Sequence, residues 1–421
     1  MDIVDEKRAS SDPGHDVVGL LRDLTAMLLG SSYEGTFRCE AMVAHVAERF
    51  GSTVEVSFLA DTAVLTVDDR TYVFAAEPEV PPLDRVSAMK RVLSEIDEGR
   101  LTAAEARARL ADLRARPPRW SKPWQVLGLV LFAVGFGISV QSTWQEVAVS
   151  AAAGLVAGLL VIGSRHRRYL TLIAPLAASV LVSAMVLLLV EHGAVRGGPV
   201  LLMVPALFYF IPGDALSAAM VELVDGRITA GAARLVYAMV LLLVLAFGAL
   251  AATCLVGVPA DSLFETPVEG NLGPLLVWGG WVLFALGLMF AFSMDPRDFG
   301  WALLLVLLTA AVAQLGTRAF GELVGTYLGA VAMVVAAVLL GRRAAGPPAY
   351  VLYLGAFYVL TPGSHGLRGL ESWIGGDRIE GVTDLAGMLG LLTAVALGML
   401  TGAIVLAGAR RSSPRASRAR P

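Results

Sequence analysis

Apolar and polar positions follow two different patterns along this chain. Up to about residue 118 they alternate over a few residues at a time, whereas the remainder consists of long apolar runs separated by short polar connections. A helix needs about 20 apolar residues to cross the hydrocarbon core of a bilayer. The pattern therefore predicts a small globular domain followed by a helical membrane domain.

The N-terminal part predicts an α+β domain over residues 15–118, after a disordered tail over residues 1–14. Apolar positions three to four residues apart predict helices, and strict alternation predicts half-buried strands. The helices lie at 15–29, 37–50 and 83–98, with a fourth opened by a Thr102–Glu105 capping box, and the strands lie at 53–59, 63–67 and 71–75 with a hairpin tip at 68–70.

A window of about 19 residues finds ten apolar segments in the rest of the chain. They lie near 124–140, 146–163, 169–190, 199–223, 232–256, 274–292, 299–315, 322–341, 349–373 and 384–408. The fourth and the ninth are interrupted near the middle, at Pro212-Gly213 and at Pro362-Gly363. Proline removes a helical hydrogen bond and glycine lets the chain bend, so both helices are expected to break there. Paired, interrupted helices are typical of a transporter's binding site.

The two Pro-Gly pairs lie 150 residues apart (362 − 212 = 150), and the same shift superimposes the first five apolar segments on the last five. The matching positions include Phe208 with Tyr358, Gly213 with Gly363 and Gly248 with Gly398. A repeat of five helices has to insert its second copy upside down. The predicted fold is therefore a membrane all-α protein with ten transmembrane helices in two inverted five-helix repeats, over 119–260 and 271–410. The small cytoplasmic α+β domain precedes them, and a basic cytoplasmic tail over 411–421 follows.

Composition agrees with a membrane protein and excludes several kinds of chemistry. Hydrophobic residues make up 56% of the chain and charged residues 16%, against about 25% charged residues in soluble proteins. The two cysteines, Cys39 and Cys254, define neither a disulfide framework nor a metal site. Phosphate-binding loops, zinc-protease motifs and hydrolase nucleophile motifs are absent from the sequence. We therefore expect a secondary carrier with no cofactor, no metal and no nucleic-acid partner.

Basic residues are concentrated in alternate connections between the apolar segments. With the N-terminus inside, the inner connections hold arginine clusters around 114–122, 165–168, 342–343 and 410–420, whereas the outer connections hold few basic residues or none. By the positive-inside rule, both termini are expected to be cytoplasmic. Arginine also greatly outnumbers lysine, as in GC-rich bacterial genomes, so a multi-pass protein of the bacterial inner membrane is predicted.

A segment of the N-terminal domain, residues 33–40, resembles the motif that opens this domain in the threonine/serine exporter family. The matching residues are Thr36, Arg38 and Glu40. Tyr33 stands where the family motif has glycine, and Cys39 where it has a β-branched residue. On local grounds alone, Thr36 fits an N-cap and the other two fit surface charges of the second helix.

The membrane part resembles the same family, so the resemblance covers about residues 17 to 408. The similar segments are Ile211-Pro212-Gly213 with Gly231-Ala232-Ala233-Arg234 in the first half, and Leu360-Thr361-Pro362-Gly363-Ser364 in the second. The resemblance implies export of small hydroxy amino acids. Some relatives split the two membrane halves into separate chains and are associated with dicarboxylate export, so the substrate stays open.

An amino acid needs one anion site and one cation site, and the broken helices supply candidates for both. Amides at the start of the half-helices after Gly213 and Gly363 attract a carboxylate. Asp214 is the candidate for the ammonium group and for the coupling proton, because burial raises a carboxyl pKa. The candidate substrate-binding residues are Pro212, Gly213, Asp214, Thr361, Pro362, Gly363, Ser364, Tyr209 and Tyr358, and the proton-coupling candidates are Asp214, Glu222 and His365.

Each candidate also has a structural explanation. A Pro-Gly pair in a membrane helix is often a simple kink. Asp214 fits an N-cap after the break, and Glu222 and His365 fit charges near the ends of spans. Arg234 is either a cytoplasmic anchor or a salt-bridge partner of Asp214, and the aromatic candidates fit lipid contact or packing equally well.

Three functions remain open on the sequence. The leading one is proton-driven export of small hydroxy amino acids, the second is dicarboxylate export by the same fold, and the third is a membrane-anchored hydrolase. Asp214 favours the first, because a carboxylate suits an ammonium group and repels a dianion unless it is protonated. A regulatory role fits the N-terminal domain better than hydrolysis, since it shows no nucleophile with an adjacent base. Gly154 and Gly158 permit close helix packing within a protomer or in a homo-oligomer.

Overall fold

The computed structural model describes residues 13–30, 35–76, 81–259, 263, 272–341, 346–360 and 378–411. The chain divides into two compact units. One comprises Met1–Arg119 with Glu222–Arg234, and the other comprises Trp120–Val221 with Leu235–Pro421. They are called the N-terminal unit and the membrane unit below.

The N-terminal unit combines helices with one small sheet. Its elements are α1 (Pro13–Gly30), α2 (Thr36–Arg49), β1 (Val54–Phe58), β2 (Thr62–Val67), β3 (Arg70–Ala75), α3 (Leu83–Asp97) and α4 (Ala103–Ala115). The strands form an antiparallel sheet in the order β1-β2-β3. The helices and strands lie where the sequence predicts them, within one or two residues at each end.

Alternating burial along β2 shows why this segment forms a strand. Ala63, Leu65 and Val67 are buried while the residues between them are half-buried, and α1 packs against β2 and β3. At the hairpin tip, Asp68 and Asp69 adopt φ values of 50° and 61°, a left-handed conformation that Asp tolerates better than most residues. The sheet is therefore covered on one side by a helix that is itself rich in buried leucine.

The predicted capping box at the start of α4 is confirmed. Thr102 Oγ1 accepts a hydrogen bond from the Glu105 N–H at 3.3 Å, and the Glu105 carboxylate accepts one from the Thr102 N–H at 2.9 Å. Together these bonds satisfy two backbone donors that a helix start otherwise leaves without partners. The hydrogen bonds from Thr102 also lower the pKa of the exposed Glu105 carboxyl.

The described secondary-structure elements of the membrane unit are all helices. Its elements are α5 (Lys122–Val140), α6 (Trp144–Ser164), α7 (Arg168–Glu191), α8 (Pro199–Leu207), α9 (Gly213–Val224), α10 (Ile228–Val256), α11 (Pro274–Ala291), α12 (Pro296–Phe320), α13 (Glu322–Gly341), α14 (Ala349–Leu360) and α15 (Arg378–Arg411), with the last turn of α9 and the first residues of α10 assigned to the N-terminal unit.

Within the described residues, eight helices are long and apolar enough to cross a membrane. They coincide with eight of the ten predicted segments. The fourth segment is divided between α8 and α9, and the ninth is described as α14 as far as Leu360. The chain is therefore a multi-pass helical membrane protein.

The helix at the seventh segment is longer than predicted. The apolar pattern predicts this segment over 299–315, which is 17 residues, but α12 has 25 residues. The helix extends at its start because Asp295 caps it and accepts a hydrogen bond from the Arg297 N–H at 3.1 Å. A hydropathy window stops at charged residues, whereas the hydrogen-bonded helix continues through Asp298 and Arg318.

Glycine brings α5 and α11 into backbone contact. A Cβ at Gly287 would lie 2.3 Å from the backbone nitrogen of Phe132 and 2.7 Å from the carbonyl oxygen of Gly128. A Cβ at Gly135 would lie 2.6 Å from the carbonyl oxygen of Gly280. These distances leave no room for a side chain, as is usual where small residues let membrane helices approach closely.

Candidate functional site

The first Pro-Gly pair interrupts a helix where the sequence predicts the break. α8 ends at Leu207 and α9 begins at Gly213. Between them the backbone hydrogen bonds join residues that are closer in sequence than in an α-helix. The Phe210 N–H donates to the Leu207 carbonyl at 2.8 Å, and the Gly213 N–H donates to the Ile211 carbonyl at 2.8 Å. Gly213 is buried, so the start of α9 lies inside the protein.

The residues that precede the two Pro-Gly pairs meet in the interior of the membrane unit. The Phe208 and Tyr358 rings have centroids 5.4 Å apart, and the two residues are 1% and 4% exposed. Phe136 stacks on Phe208 with centroids 3.9 Å apart, and Tyr209 packs 5.4 Å from Phe292. The end of α14 and the turn after α8 are thus brought together by one aromatic cluster.

A cavity of about 390 Å³ lies beside the end of α14, at Tyr358, Val359 and Leu360. Aromatic side chains form part of its wall, and several polar side chains line it. The aromatic residues are Phe136, Trp278 and Trp281, and the polar ones are Ser139, Gln314, Thr317, Glu322 and Thr326. Its size falls within the range of small-molecule sites, at roughly 300–1,000 Å³.

Several predicted site residues fall outside this description. Pro212 and Gly213 are buried at the start of α9, where Asp214 follows in the first turn, but the Asp214 side chain is outside the described part. Thr361, Pro362, Gly363, Ser364 and His365 are all outside the described residues. Their proposed roles therefore stay predictions.

The motif of the N-terminal domain contacts the connection between α9 and α10, all within the N-terminal unit. The Thr36 N–H donates to Glu222 Oε1 at 3.1 Å. The Glu40 carboxylate accepts from the Phe58 N–H at 3.0 Å and from Arg227 Nη1 at 2.8 Å. Thr36 is not the N-cap that its local sequence favours, because Gly35 with φ of 92° takes that position.

Arg227 is held by a two-pronged ion pair. Its second terminal nitrogen, Nη2, donates to Glu40 Oε2, and its guanidinium lies 5.9 Å from the centroid of the Phe37 ring. Fork-shaped pairing of arginine with a carboxylate is stronger and more directional than a single charged hydrogen bond. The hydrogen bonds to Glu40 raise the pKa of Arg227. Arg38, the third residue of the motif, is exposed on the same helix.

Glu222 and Arg234 form a buried ion pair. Glu222 Oε2 lies 3.2 Å from Arg234 Nε, and their side chains are 4% and 6% exposed. Glu222 is therefore not the interfacial charge that its position near the end of a span favours. Arg234 is buried rather than exposed, and Glu222 is its described ion-pair partner.

Sequence reasoning missed Arg227 and the polar lining of the cavity. Glu322 stands directly before an apolar run and Gln314 lies within one, which is a weak signal for each. Thr317 and Thr326 carry no signal of their own, because threonine is common in membrane helices that pack closely.

Comparison with known families identifies the chain. Residues 23–256, more than half of its 421 residues, match the family of threonine/serine exporters. The chain belongs to the threonine/serine exporter family. This exporter family consists of transporters rather than enzymes. The matched range contains the N-terminal unit from Asp23 onward and the first five apolar segments, so the resemblance of the second half stays a prediction. No curated protein and no solved structure matches the chain significantly.

Proposed function

We propose that this family member exports small hydroxy amino acids, threonine or serine, in exchange for protons, through a site between two Pro-Gly-interrupted helices. The observation that carries the proposal is the contact between Phe208 and Tyr358, at 5.4 Å between ring centroids. Each residue stands four positions before a proline, Pro212 or Pro362. The described break and the Pro-Gly pair that follows α14 thus start from residues in contact, as one shared substrate site requires.

An inverted repeat is supported by reciprocal contacts between α5 and α11. A shift of 152 residues maps Gly128 onto Gly280, Phe132 onto Phe284 and Gly135 onto Gly287. A Cβ at Gly135 would lie 2.3 Å from the Phe284 nitrogen, and a Cβ at Gly287 would lie 2.3 Å from the Phe132 nitrogen. Such an exchange of equal contacts is the mark of a two-fold axis.

The direction of the two helices indicates where this axis runs. Gly128 faces Gly287 while Gly135 faces Gly280, so α5 and α11 run antiparallel. A two-fold axis that relates antiparallel spanning helices lies in the plane of the membrane, as inverted repeats require. The Phe132 and Phe284 rings, with centroids 4.7 Å apart, are equivalents that contact each other, as residues near the axis do.

Equivalent glycines in the fifth helix of each half support the same arrangement. A Cβ at Gly248 on α10 would lie 2.6 Å from the Ser179 side chain on α7, and a Cβ at Gly398 on α15 would lie 2.5 Å from the Tyr327 carbonyl on α13. In each half, the matched glycine thus permits close approach to the third helix. The two glycines are related by the shift of 150 residues that aligns the prolines.

The chemistry around the breaks favours an amino acid over a dicarboxylate. Glu322 is the acidic member of the cavity lining, and no described lining residue is lysine, arginine or histidine. A carboxylate attracts an ammonium group and repels a dianion. In the proposed site, Asp214 holds the ammonium group and the coupling proton, the α9 amides hold the carboxylate, and Thr361 and Ser364 bind the hydroxyl.

The distribution of arginine supports cytoplasmic termini in the inner membrane of a bacterium. That orientation gives the N-terminal domain access to the side from which an exporter takes its substrate. A role in controlling substrate entry fits this domain better than hydrolysis does.

Efflux from loaded cells tests the proposal directly. Cells loaded with threonine- or serine-containing dipeptides are expected to release the free amino acid faster with this protein than with an empty vector, and a protonophore should remove the difference. Equal release, with the protein shown to be in the membrane, would contradict amino-acid export. Succinate efflux in the same cells would then favour the dicarboxylate exporter.

Neutralising the carboxylate at the cavity, by Glu322→Gln, tests the choice between the two substrates. For an amino acid, we expect the half-saturating concentration to rise by up to about fivefold, since an exposed charge pair contributes about 0.2–1 kcal/mol. Succinate transport should be unchanged or improved by the same variant. A weakened succinate flux with unchanged threonine flux would contradict the assignment of Glu322.

A further inference from the structure

We propose that Thr36 and Glu40 of the N-terminal domain are positioning residues for α9, the helix that begins at the first Pro-Gly break. They hold its last turn through Glu222 and the following connection through Arg227. The proposal rests on the proposed function in one respect, that α9 carries part of the substrate site.

The connection over Glu222–Arg234 belongs to the same compact unit as Met1–Arg119. Two separate interactions join it to α2, one from the Thr36 backbone to Glu222 and one from the Glu40 side chain to Arg227. Because Thr36 and Glu40 lie four residues apart, one face of α2 makes both contacts. A single helix, α2, therefore makes both the Thr36–Glu222 and the Glu40–Arg227 contacts.

Glu40 also joins this helix to the sheet of the domain. One of its carboxylate oxygens, Oε1, accepts from the Phe58 N–H on β1 as well as from Arg227. Phe58 is 1% exposed, so the hydrogen bond ends on a residue buried in the domain core. Glu40 therefore connects Arg227 to the folded core of the domain.

The buried ion pair between Glu222 and Arg234 joins the end of α9 to the start of α10. Glu222 belongs to the last turn of α9 and Arg234 to the second turn of α10, and their side chains lie 3.2 Å apart at closest approach. Removing one partner of a buried pair leaves an uncompensated charge. The ion pair therefore fixes the distance between the end of α9 and the start of α10. Thr36 and Glu40 contact the same segment.

α9 transmits this position to the break. It has 12 residues, which makes it roughly 18 Å long at 1.5 Å per residue. Because α9 is one continuous helix, contacts at its last turn, at Glu222, are expected to influence its first turn, at Gly213. A substrate bound at the break therefore depends on Thr36 and Glu40, although neither residue touches it.

Charge exchange between Glu40 and Arg227 tests the proposal. Glu40→Arg and Arg227→Glu each place like charges side by side, while the double variant restores an opposite pair with reversed direction. The matched control is Glu48→Gln, an exposed position on the same helix. Threonine efflux is measured per folded transporter, as a half-saturating concentration and a maximal rate.

A second readout does not depend on the substrate. In a protein carrying Cys254→Ser, which removes the exposed free thiol while Cys39 stays buried, an Ala215→Cys variant reports on the first turn of α9. Its alkylation rate by a membrane-permeable maleimide measures how that turn is oriented. Ala215 is 1% exposed, so a change in orientation should alter the rate several-fold.

We expect each single exchange to change the half-saturating concentration and the alkylation rate several-fold, with the double variant returning toward the wild type and Glu48→Gln matching it. Unchanged values in both readouts for folded single variants would overturn the positioning role. If the wild type exports no threonine while alkylation still shows loss and rescue, the proposed substrate fails and the positioning of α9 stands.

Discussion

Gly287→Ala is expected to disrupt the membrane unit, although it adds a single methyl group. The new Cβ would lie 2.3 Å from the Phe132 nitrogen and 2.7 Å from the Gly128 carbonyl oxygen. Both are backbone atoms, so no side chain can rotate away and the two helices have to separate. Over-packing of a tight interface costs about 1–3 kcal/mol, and more where backbone has to move.

Separation of α5 and α11 would also disturb the packing of the candidate site. The Phe132 and Phe284 rings, 4.7 Å apart, lie at this interface and Phe132 contacts Tyr358 with centroids 5.3 Å apart. We therefore expect a lower melting temperature in detergent and lower transport, with the two losses appearing together. The measurement is thermal aggregation of the purified protein, followed by size-exclusion chromatography.

The matched control is Gly279→Ala on the same helix. An added Cβ there meets nothing within 4 Å, and alanine favours a helix over glycine by about 1 kcal/mol. The control should be as stable as the wild type or slightly more so. Equal melting of the Gly287→Ala and Gly279→Ala variants would show that the two helices do not depend on this contact.

The membrane helices are easy to predict because the bilayer imposes their length and their apolar composition. The break before α9 is predictable for a similar reason, since Pro212 cannot donate a helical hydrogen bond. The partner of a helix is another matter. Gly128 and Gly287 look like many other glycines in apolar segments, and nothing local indicates that they face each other across the two halves.

Alignment of the two Pro-Gly pairs in the sequence points to one pair of residues in the candidate site. A shift of 150 residues places Phe208 on Tyr358, and the rings of these two residues are in contact. The glycine and phenylalanine contacts of α5 and α11 instead follow a shift of 152 residues. A single shift therefore aligns the two Pro-Gly pairs but does not reveal that α5 and α11 pack against each other.

Long-range charge pairing could not be predicted from local sequence. Glu40 and Arg227 are 187 residues apart, and each fits a solvated surface charge when only its neighbours are considered. The Thr36 backbone bonds to Glu222, which is 186 residues away. Only the fold shows that the motif of the N-terminal domain and the end of α9 belong together.

Asp214→Asn is expected to abolish proton-coupled export while the protein stays folded. Asparagine has nearly the same shape as aspartate and is an equally good residue near a helix start. It cannot carry a negative charge, release a proton at neutral pH or form an ion pair with an ammonium group. If Asp214 only stabilised the start of α9, the variant would transport normally.

Two kinds of flux separate the possible roles of Asp214. Net efflux against a threonine gradient requires proton coupling, whereas exchange of labelled for unlabelled threonine requires only binding and movement of the carrier. A proton carrier that does not touch the substrate should lose net efflux and keep exchange. If Asp214 binds the ammonium group, its substitution should impair both fluxes. Any remaining flux should require a higher threonine concentration for half-saturation.

We expect Asp214→Asn to lose both fluxes, because the proposed site uses this carboxylate for the ammonium group and the proton in turn. Asp225→Asn, at an exposed position just after α9, is the matched control and should keep both. Normal protonophore-sensitive efflux by Asp214→Asn would assign the proton to another group. Glu222 and His365, the other two proton-coupling candidates, would then be tested next.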